Sequence, residues 1–221
     1  MQPGRIVADM LHPFPVTGVV PVVVIHDPDH AVPLARALLS GGIPSIEVTL
    51  RSNAGLEAIR RIAADVPGIE VGAGTVTDPK AIAQVRDAGA TFAVAPGCNP
   101  DVVAAADRAG LPFAPGVATP TELERALNLG CRTVKVFPAV ALGGPAYLKA
   151  MVGPYRHLDI SCMPTGGITA ESFASWLAMD VVSAVGGSWI APAGDIQQER
   201  WSAIEARARD IRARLEELGG G

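Results

Sequence analysis

Eight times along the chain, a short apolar run rich in β-branched residues is followed by a longer segment with helical periodicity and a glycine or proline break. The runs predict strands at Val19–Ile25, Ser45–Leu50, Glu70–Thr75, Phe92–Ala95, Phe113–Val117, Thr133–Phe137, Ile160–Pro164 and Val182–Val185. The segments between them predict helices at His30–Ser40, Ala54–Asp65, Pro79–Ala88, Pro100–Ala109, Thr121–Leu129, Ala146–Val152, Ala170–Ala178 and Gln197–Leu218. Eight such units with short turns point to an α/β fold, a closed (β/α)8 barrel of the TIM type, with a short helix near Arg5–Leu11 ahead of it. A doubly wound open sheet is the alternative, but it usually carries an early dinucleotide fingerprint, and none is present. Asp78-Pro79, Asn99-Pro100 and Thr119-Pro120 read as helix starts, an oxygen side chain before a proline suited to the first turn. Gly41, Gly89, Gly110 and Gly130 read as left-handed helix stops.

A chain of 221 residues fits one domain spanning 1–221, and a hydrophobic fraction of 49% is ample for its core. The net charge of -4 gives no electrostatic reason to expect nucleic acid or an anionic membrane as partner. Apolar runs such as Val19–Ile25 fall far short of the roughly 20 residues a spanning helix needs, and no tripartite signal peptide is visible. Cys98, Cys131 and Cys162 lack CxxC spacing, so neither a disulfide framework nor a zinc site is expected. His12, His26, His30 and His157 have no metal-ligand spacing either. The expectation is a cytoplasmic protein with no metal and no cofactor.

Chemistry in such a barrel collects at the carboxyl ends of the strands. Three of the 18 basic residues are lysines, and one of them, Lys135, stands inside the strand run Thr133-Val134-Lys135-Val136-Phe137. A buried amine is costly unless something uses or neutralises it, and burial disfavours its charged form, freeing the nucleophile. Glu47 is the one acid lying inside a strand run rather than at its start. Side chains alternate along a strand, so Glu47, Thr49 and Arg51 share one face, as do Thr133, Lys135 and Phe137. If both faces point inward, an amine and a carboxylate enter one cavity. A core-filling ion pair is one reading of the two. The other is a Schiff-base lysine with Glu47 as its acid/base. Arg51, at the mouth of strand two, suits a bidentate clamp on a substrate carboxylate.

Two glycine pairs, Gly166-Gly167 after Thr165 and Gly186-Gly187 before Ser188, follow strands seven and eight, where barrels often bind phosphate. Gly72-Ala73-Gly74-Thr75 lacks the third glycine of a nucleotide fingerprint and reads as room for substrate, with Thr75 as a donor. Pro96 completes the list at the end of strand four.

Taken in order, Glu47-Val48-Thr49-Leu50-Arg51, Gly72-Ala73-Gly74-Thr75-Val76, Pro96-Gly97, Lys135-Val136-Phe137-Pro138-Ala139, Pro164-Thr165-Gly166-Gly167 and Gly186-Gly187-Ser188-Trp189 resemble the class I 2-keto-3-deoxy-6-phosphogluconate (KDPG) aldolases. That family is also known for 4-hydroxy-2-oxoglutarate aldolase activity. The resemblance runs from about residue 19 to 192. It implies that Lys135 forms the imine with pyruvate or the 2-keto acid and that Glu47 is the general acid/base. It puts Arg51 and Thr75 at the pyruvate carboxylate and reaction centre, with Pro96, Phe137 and Thr165 lining the pocket. Gly166, Gly167, Gly187 and Ser188 would hold the phosphate end. It further implies a metal-free homotrimer acting on a phosphorylated 2-keto sugar acid in the Entner–Doudoroff pathway. One departure is Val140, where many relatives carry Glu. Rival readings are a sister aldolase for the C4 epimer, a phosphate-barrel epimerase or isomerase using Glu47 as base, and a non-catalytic sugar-phosphate binding protein.

Overall fold

The structure, a computed structural model, describes residues 13–219, so the helix expected at Arg5–Leu11 lies outside the described residues. Among the described residues, nine short strands run in chain order: β1 (Gly18–Val23), β2 (Ser45–Thr49), β3 (Glu70–Gly74), β4 (Phe92–Val94), β5 (Phe113–Ala114), β6 (Gly116–Val117), β7 (Thr133–Val136), β8 (Ser161–Pro164) and β9 (Ala184–Gly187). Every pairing between them is parallel. The helices are α1 (Ala31–Ser40), α2 (Gly55–Asp65), α3 (Pro79–Asp87), α4 (Pro100–Ala109), α5 (Pro120–Asn128), α6 (Gly144–Val152), α7 (Phe173–Leu177), α8 (Ala193–Gln197) and α9 (Trp201–Gly219). The fold is α/β around a curled parallel sheet of six strands in the order β5-β4-β3-β2-β1-β9, with a second sheet in the order β6-β7-β8. Among the described residues, no helix is long and apolar enough to cross a membrane.

The fifth strand run is divided at Pro115, which has no N–H to give to a ladder. On one side of it β5 pairs with β4; on the other β6 pairs with β7. Pro96 presses against this point so closely that a Cβ on Gly116 would lie 2.1 Å from its carbonyl carbon. Between β8 and β9 the contact is reduced to single bridges, Cys162–Val182 and Thr165–Gly186.

Local sequence explains the helix ends. Asp78, Asn99 and Thr119 each accept a hydrogen bond from a backbone N–H of the first turn, at 2.9, 3.0 and 3.3 Å. Gly89, Gly110 and Gly130 are left-handed, as expected, but Gly41 is not. Its φ is -78° and the left-handed residue is Gly42 (φ 85°). Gly41 is required for closeness instead, since a Cβ there would lie 2.4 Å from the Cβ of Ala208 on α9. The last expected helix, from Gln197, is also corrected. The chain ends α8 there, turns through Glu199 at φ 52°, and begins α9 at Trp201.

Strand parity sorts the core into two parts. Ile46, Val48, Val71, Ala73, Val134 and Val136 face outward into the layer between strands and helices. Val20, Phe92, Val94, Ala114, Met163 and Ala184 face the other way and pack together, with Val16 beside them and Phe14 set edge-on against Phe92 at 5.2 Å. That inner face carries Glu47 and Lys135 above this apolar plug.

Candidate active site

Only five polar or charged residues are buried among the described residues: Ser45, Glu47, Thr49, Lys135 and Thr165. Four of them gather at the carboxyl-end half of the inner face. Glu47, midway along β2, aligns with Val22 on one neighbour and Gly72 on the other. Lys135, on β7, aligns with Gly116 and Met163. The strands hold the two side chains toward each other, so that Lys135 Nζ donates to Glu47 Oε1 at 2.8 Å and to Oε2 at 3.0 Å. Glu47 has no solvent exposure and Lys135 only 5%. A carboxylate and an amine this close can exchange a proton without an intervening water.

The room made by the glycines of β3 is filled by protein, contrary to the expectation that it receives substrate. A Cβ on Gly72 would meet the Phe92 ring at 2.2 Å, and one on Gly74 would meet Glu47 Oε1 at 2.2 Å. Gly74 is therefore what lets the carboxylate lie flat against its neighbour strand and reach Lys135. Thr75, directly after it, is half-buried and left-handed at φ 60°. A β-branched residue in that region stores strain, and such strain gathers at functional sites.

At the carboxyl ends of β1, β2, β8 and β9 opens a cavity of about 270 Å³ lined by Arg51, Thr165, Gly166, Gly167, Gly187 and Ser188, together with Val22, Ile168, Thr169 and Trp189; Glu47 and Lys135 are not on its wall. Arg51 is the one charged side chain on its wall. Gly166 and Gly167 are left-handed, at φ 101° and 82°, and turn the loop after β8 around this space. Thr165 reaches toward β9, where a Cβ on Gly186 would lie 2.4 Å from its Oγ1. Phe137 and Pro96 stand exposed at the ends of β7 and β4, outside the cavity wall. Phe137 packs on Gly166, and Val140 packs on Gly167. A larger cavity, about 470 Å³, lies at the other end of the strands between Ile160 and Val181, with Lys149, Arg156, Asp159 and Asp180 on its rim. It contains none of the predicted residues and no buried ionisable group, so size does not decide the matter here.

A model of the KDPG and KHG aldolase family matches residues 14–207. The chain belongs to that family. The 2-dehydro-3-deoxy-phosphogluconate aldolase of Pseudoalteromonas atlantica is 44% identical over 191 residues, 86% of this chain and 88% of its own. The KHG/KDPG aldolase of Escherichia coli K12 is 41% identical over 192 residues, 87% and 89% of the two chains. Among solved structures, the KDPG aldolase of Legionella pneumophila, with pyruvate captured at low pH as a covalent carbinolamine intermediate, superposes with a TM-score of 0.84 at 38% identity, covering 88% of this chain and 94% of that one.

Within a KDPG/KHG aldolase fold, sequence reasoning overlooked part of the wall. Val22 takes no site role from the sequence, though its parity and its register with Glu47 mark it. Trp189 fills the space beside Gly187, where a Cβ would lie 1.6 Å from its ring, and nothing in the local pattern announces this. Thr49 carried a signal: it shares the face of Glu47, and it is buried with its hydroxyl bonded to the Val23 carbonyl at 3.0 Å.

Proposed function

We propose that this family member is a class I, Schiff-base aldolase that reversibly cleaves KDPG to pyruvate and D-glyceraldehyde 3-phosphate, and also 4-hydroxy-2-oxoglutarate to pyruvate and glyoxylate. The observation that carries this reading is the direct Lys135–Glu47 contact at 2.8 Å in a buried setting. A buried ion pair is weak evidence for stability, because well-packed apolar residues serve as well. Its presence on the inner face of an aldolase fold therefore argues for chemistry.

Glu47 takes a proton from the Lys135 ammonium, and the free amine attacks the C2 carbonyl of the keto acid. Glu47 returns that proton to the carbinolamine oxygen, then carries a second proton from the nitrogen to the same oxygen, water leaves, and an iminium joins Lys135 to C2. Glu47 takes the proton of the C4 hydroxyl, the C3–C4 bond breaks toward the iminium, and the aldehyde departs, leaving protonated Glu47 as the proton donor for the enamine. The enamine then takes a proton at C3, and hydrolysis of the imine releases pyruvate and restores the amine. Lys135 is the electron sink in this sequence, so no step calls on a metal or a cofactor.

Arg51 is the carboxylate clamp and Thr75 a donor near the reaction centre, with Thr165 bounding the substrate in the cavity and Phe137 and Pro96 at its outer rim. The phosphate lies against Gly166, Gly167, Gly187 and Ser188. One feature supports this end of the site: the cavity wall carries a cation and no acid. The two sheets belong to one (β/α)8 domain, a reading supported by the unbroken chain through Pro115 and by the bridges from Cys162 and Thr165. The family resemblance supports a homotrimer. Three free thiols, two of them buried and pushed up to about 12, suit a reducing cytoplasm.

Cleavage rates on KDPG, its C4 epimer and 4-hydroxy-2-oxoglutarate test the assignment, with pyruvate release as the readout. KDPG is expected to be cleaved fastest. Preference for the epimer would move the protein to the sister activity, and turnover of none would leave a binding protein.

A further inference from the structure

We propose that Thr49 is a positioning residue that decides which edge of the Arg51 guanidinium meets the substrate carboxylate, an inference that rests on Arg51 being the carboxylate clamp. The Thr49 hydroxyl is buried and has two neighbours of fixed polarity. The Val23 carbonyl, 3.0 Å away, can only accept, so the hydroxyl proton is committed to it. Arg51 Nε, 3.3 Å away, can only donate, so it occupies a lone pair of the same oxygen. The hydroxyl cannot reverse its direction. A main-chain carbonyl of β1 therefore fixes an acceptor that holds the exposed Arg51 side chain at Nε.

A guanidinium offers a carboxylate two bidentate edges, one using both terminal nitrogens and one using Nε with a terminal nitrogen. With Nε held by Thr49, the second edge is occupied. The terminal nitrogens make no hydrogen bond among the described residues, and they are the donors left to the cavity that Arg51 lines. The segment carrying Arg51 is fastened again at the next residue, where the Ser52 hydroxyl donates to the Ile25 carbonyl. Gly55 closes beneath it, since a Cβ there would lie 2.9 Å from the Thr49 carbonyl oxygen. Two hydroxyls thus tie the tail of β2 to the tail of β1 on either side of Arg51. A guanidinium ordered before substrate arrives loses less rotamer freedom on binding.

The test uses pyruvate as the probe and reads the concentration giving half-maximal inactivation by borohydride, together with the limiting rate at saturation. Thr49→Val keeps the shape and removes both hydrogen bonds. It is expected to raise the half-saturating pyruvate concentration roughly tenfold, the loss of about one hydrogen bond to a charged group, with the limiting rate within about twofold. Thr49→Ser is expected to recover the wild-type value, and T49V/R51Q to bind pyruvate no more weakly than Arg51→Gln alone. If Thr49→Val does not fold, Thr49→Ala, which admits water to the Val23 carbonyl, takes its place. An unchanged half-saturation in Thr49→Val beside a weakened Arg51→Gln overturns the role of Thr49 and leaves Arg51 as the clamp. So does failure of Thr49→Ser to recover, or independent losses in the double variant. An Arg51→Gln enzyme that binds pyruvate normally overturns the clamp reading, and this proposal with it.

Discussion

Lys135 bridges both oxygens of Glu47, at 2.8 and 3.0 Å, although 88 positions separate them in the chain. The pair meets because β2 and β7 each turn the same parity of side chain inward, and because Gly74 leaves the carboxylate space to lie toward the lysine. Among the described residues, neither side chain makes another hydrogen bond or ion pair.

Removing one member of this pair should hurt stability more than removing both. Lys135→Met strands a buried carboxylate and is expected to destabilise the fold by about 3–5 kcal/mol. Lys135→Met combined with Glu47→Gln should recover much of that loss in urea titration while remaining inactive. Glu47→Gln alone should keep the amine but lower kcat by about 10²–10⁴-fold. Equal stability of the single and double variants would mean that the two charges are not coupled.

Gly74→Ala provides a sharper test of geometry than a change of charge. The new methyl would occupy a point 2.2 Å from Glu47 Oε1, so the carboxylate must swing away from Lys135. We expect kcat to fall by at least about tenfold, with cleavage of KDPG and of 4-hydroxy-2-oxoglutarate affected alike, because the shared imine step is damaged. A Gly74→Ala enzyme with normal turnover would show that this placement of Glu47 is not needed.

Ser188→Ala should separate the two ends of the substrate. Loss of one hydroxyl donor at a phosphate is expected to raise KM for KDPG by about three- to tenfold. KM for unphosphorylated 4-hydroxy-2-oxoglutarate should not change. Steady-state kinetics on both substrates decides it, and parallel shifts in the two would place the phosphate elsewhere.

Much of this arrangement was legible from the residues alone. Period-2 alternation put Glu47 and Lys135 on inward faces, and the capping side chains of Asp78, Asn99 and Thr119 marked three helix starts. What was not legible depends on close approach in three dimensions. Gly72 and Gly74 look like open space in sequence, but the Phe92 ring and the Glu47 carboxylate, 20 and 27 positions away, fill that space. Gly41 looks like a left-handed stop, but its role is set by Ala208 at the far end of the chain. The split at Pro115 follows from one missing N–H, yet the change of partner from β4 to β7 is a property of sheet curvature. Thr75 gives no hint of its left-handed backbone, since nothing in a β-branched residue foretells it.

Acid should loosen the carboxyl-terminal helix. Hydrogen bonds from Arg207, and then from Arg200, hold the Asp195 carboxyl below its ordinary value of 3.8, joining α8 to α9. A carboxyl lowered in the fold contributes stability that is present above its unfolded pKa and is lost as pH falls through the folded one. The Tm advantage of the wild type over Asp195→Asn is therefore expected to be constant near neutrality and to shrink below about pH 4. An advantage that persists unchanged at pH 3 would show that the pairing does not depend on the charge of Asp195.

The most direct measurement is borohydride reduction in the presence of pyruvate, followed by peptide mass mapping. The account predicts one reduced pyruvate adduct per chain, on Lys135, with loss of activity in proportion to labelling. Absence of an adduct, or labelling of Lys80 or Lys149 in its place, would contradict it.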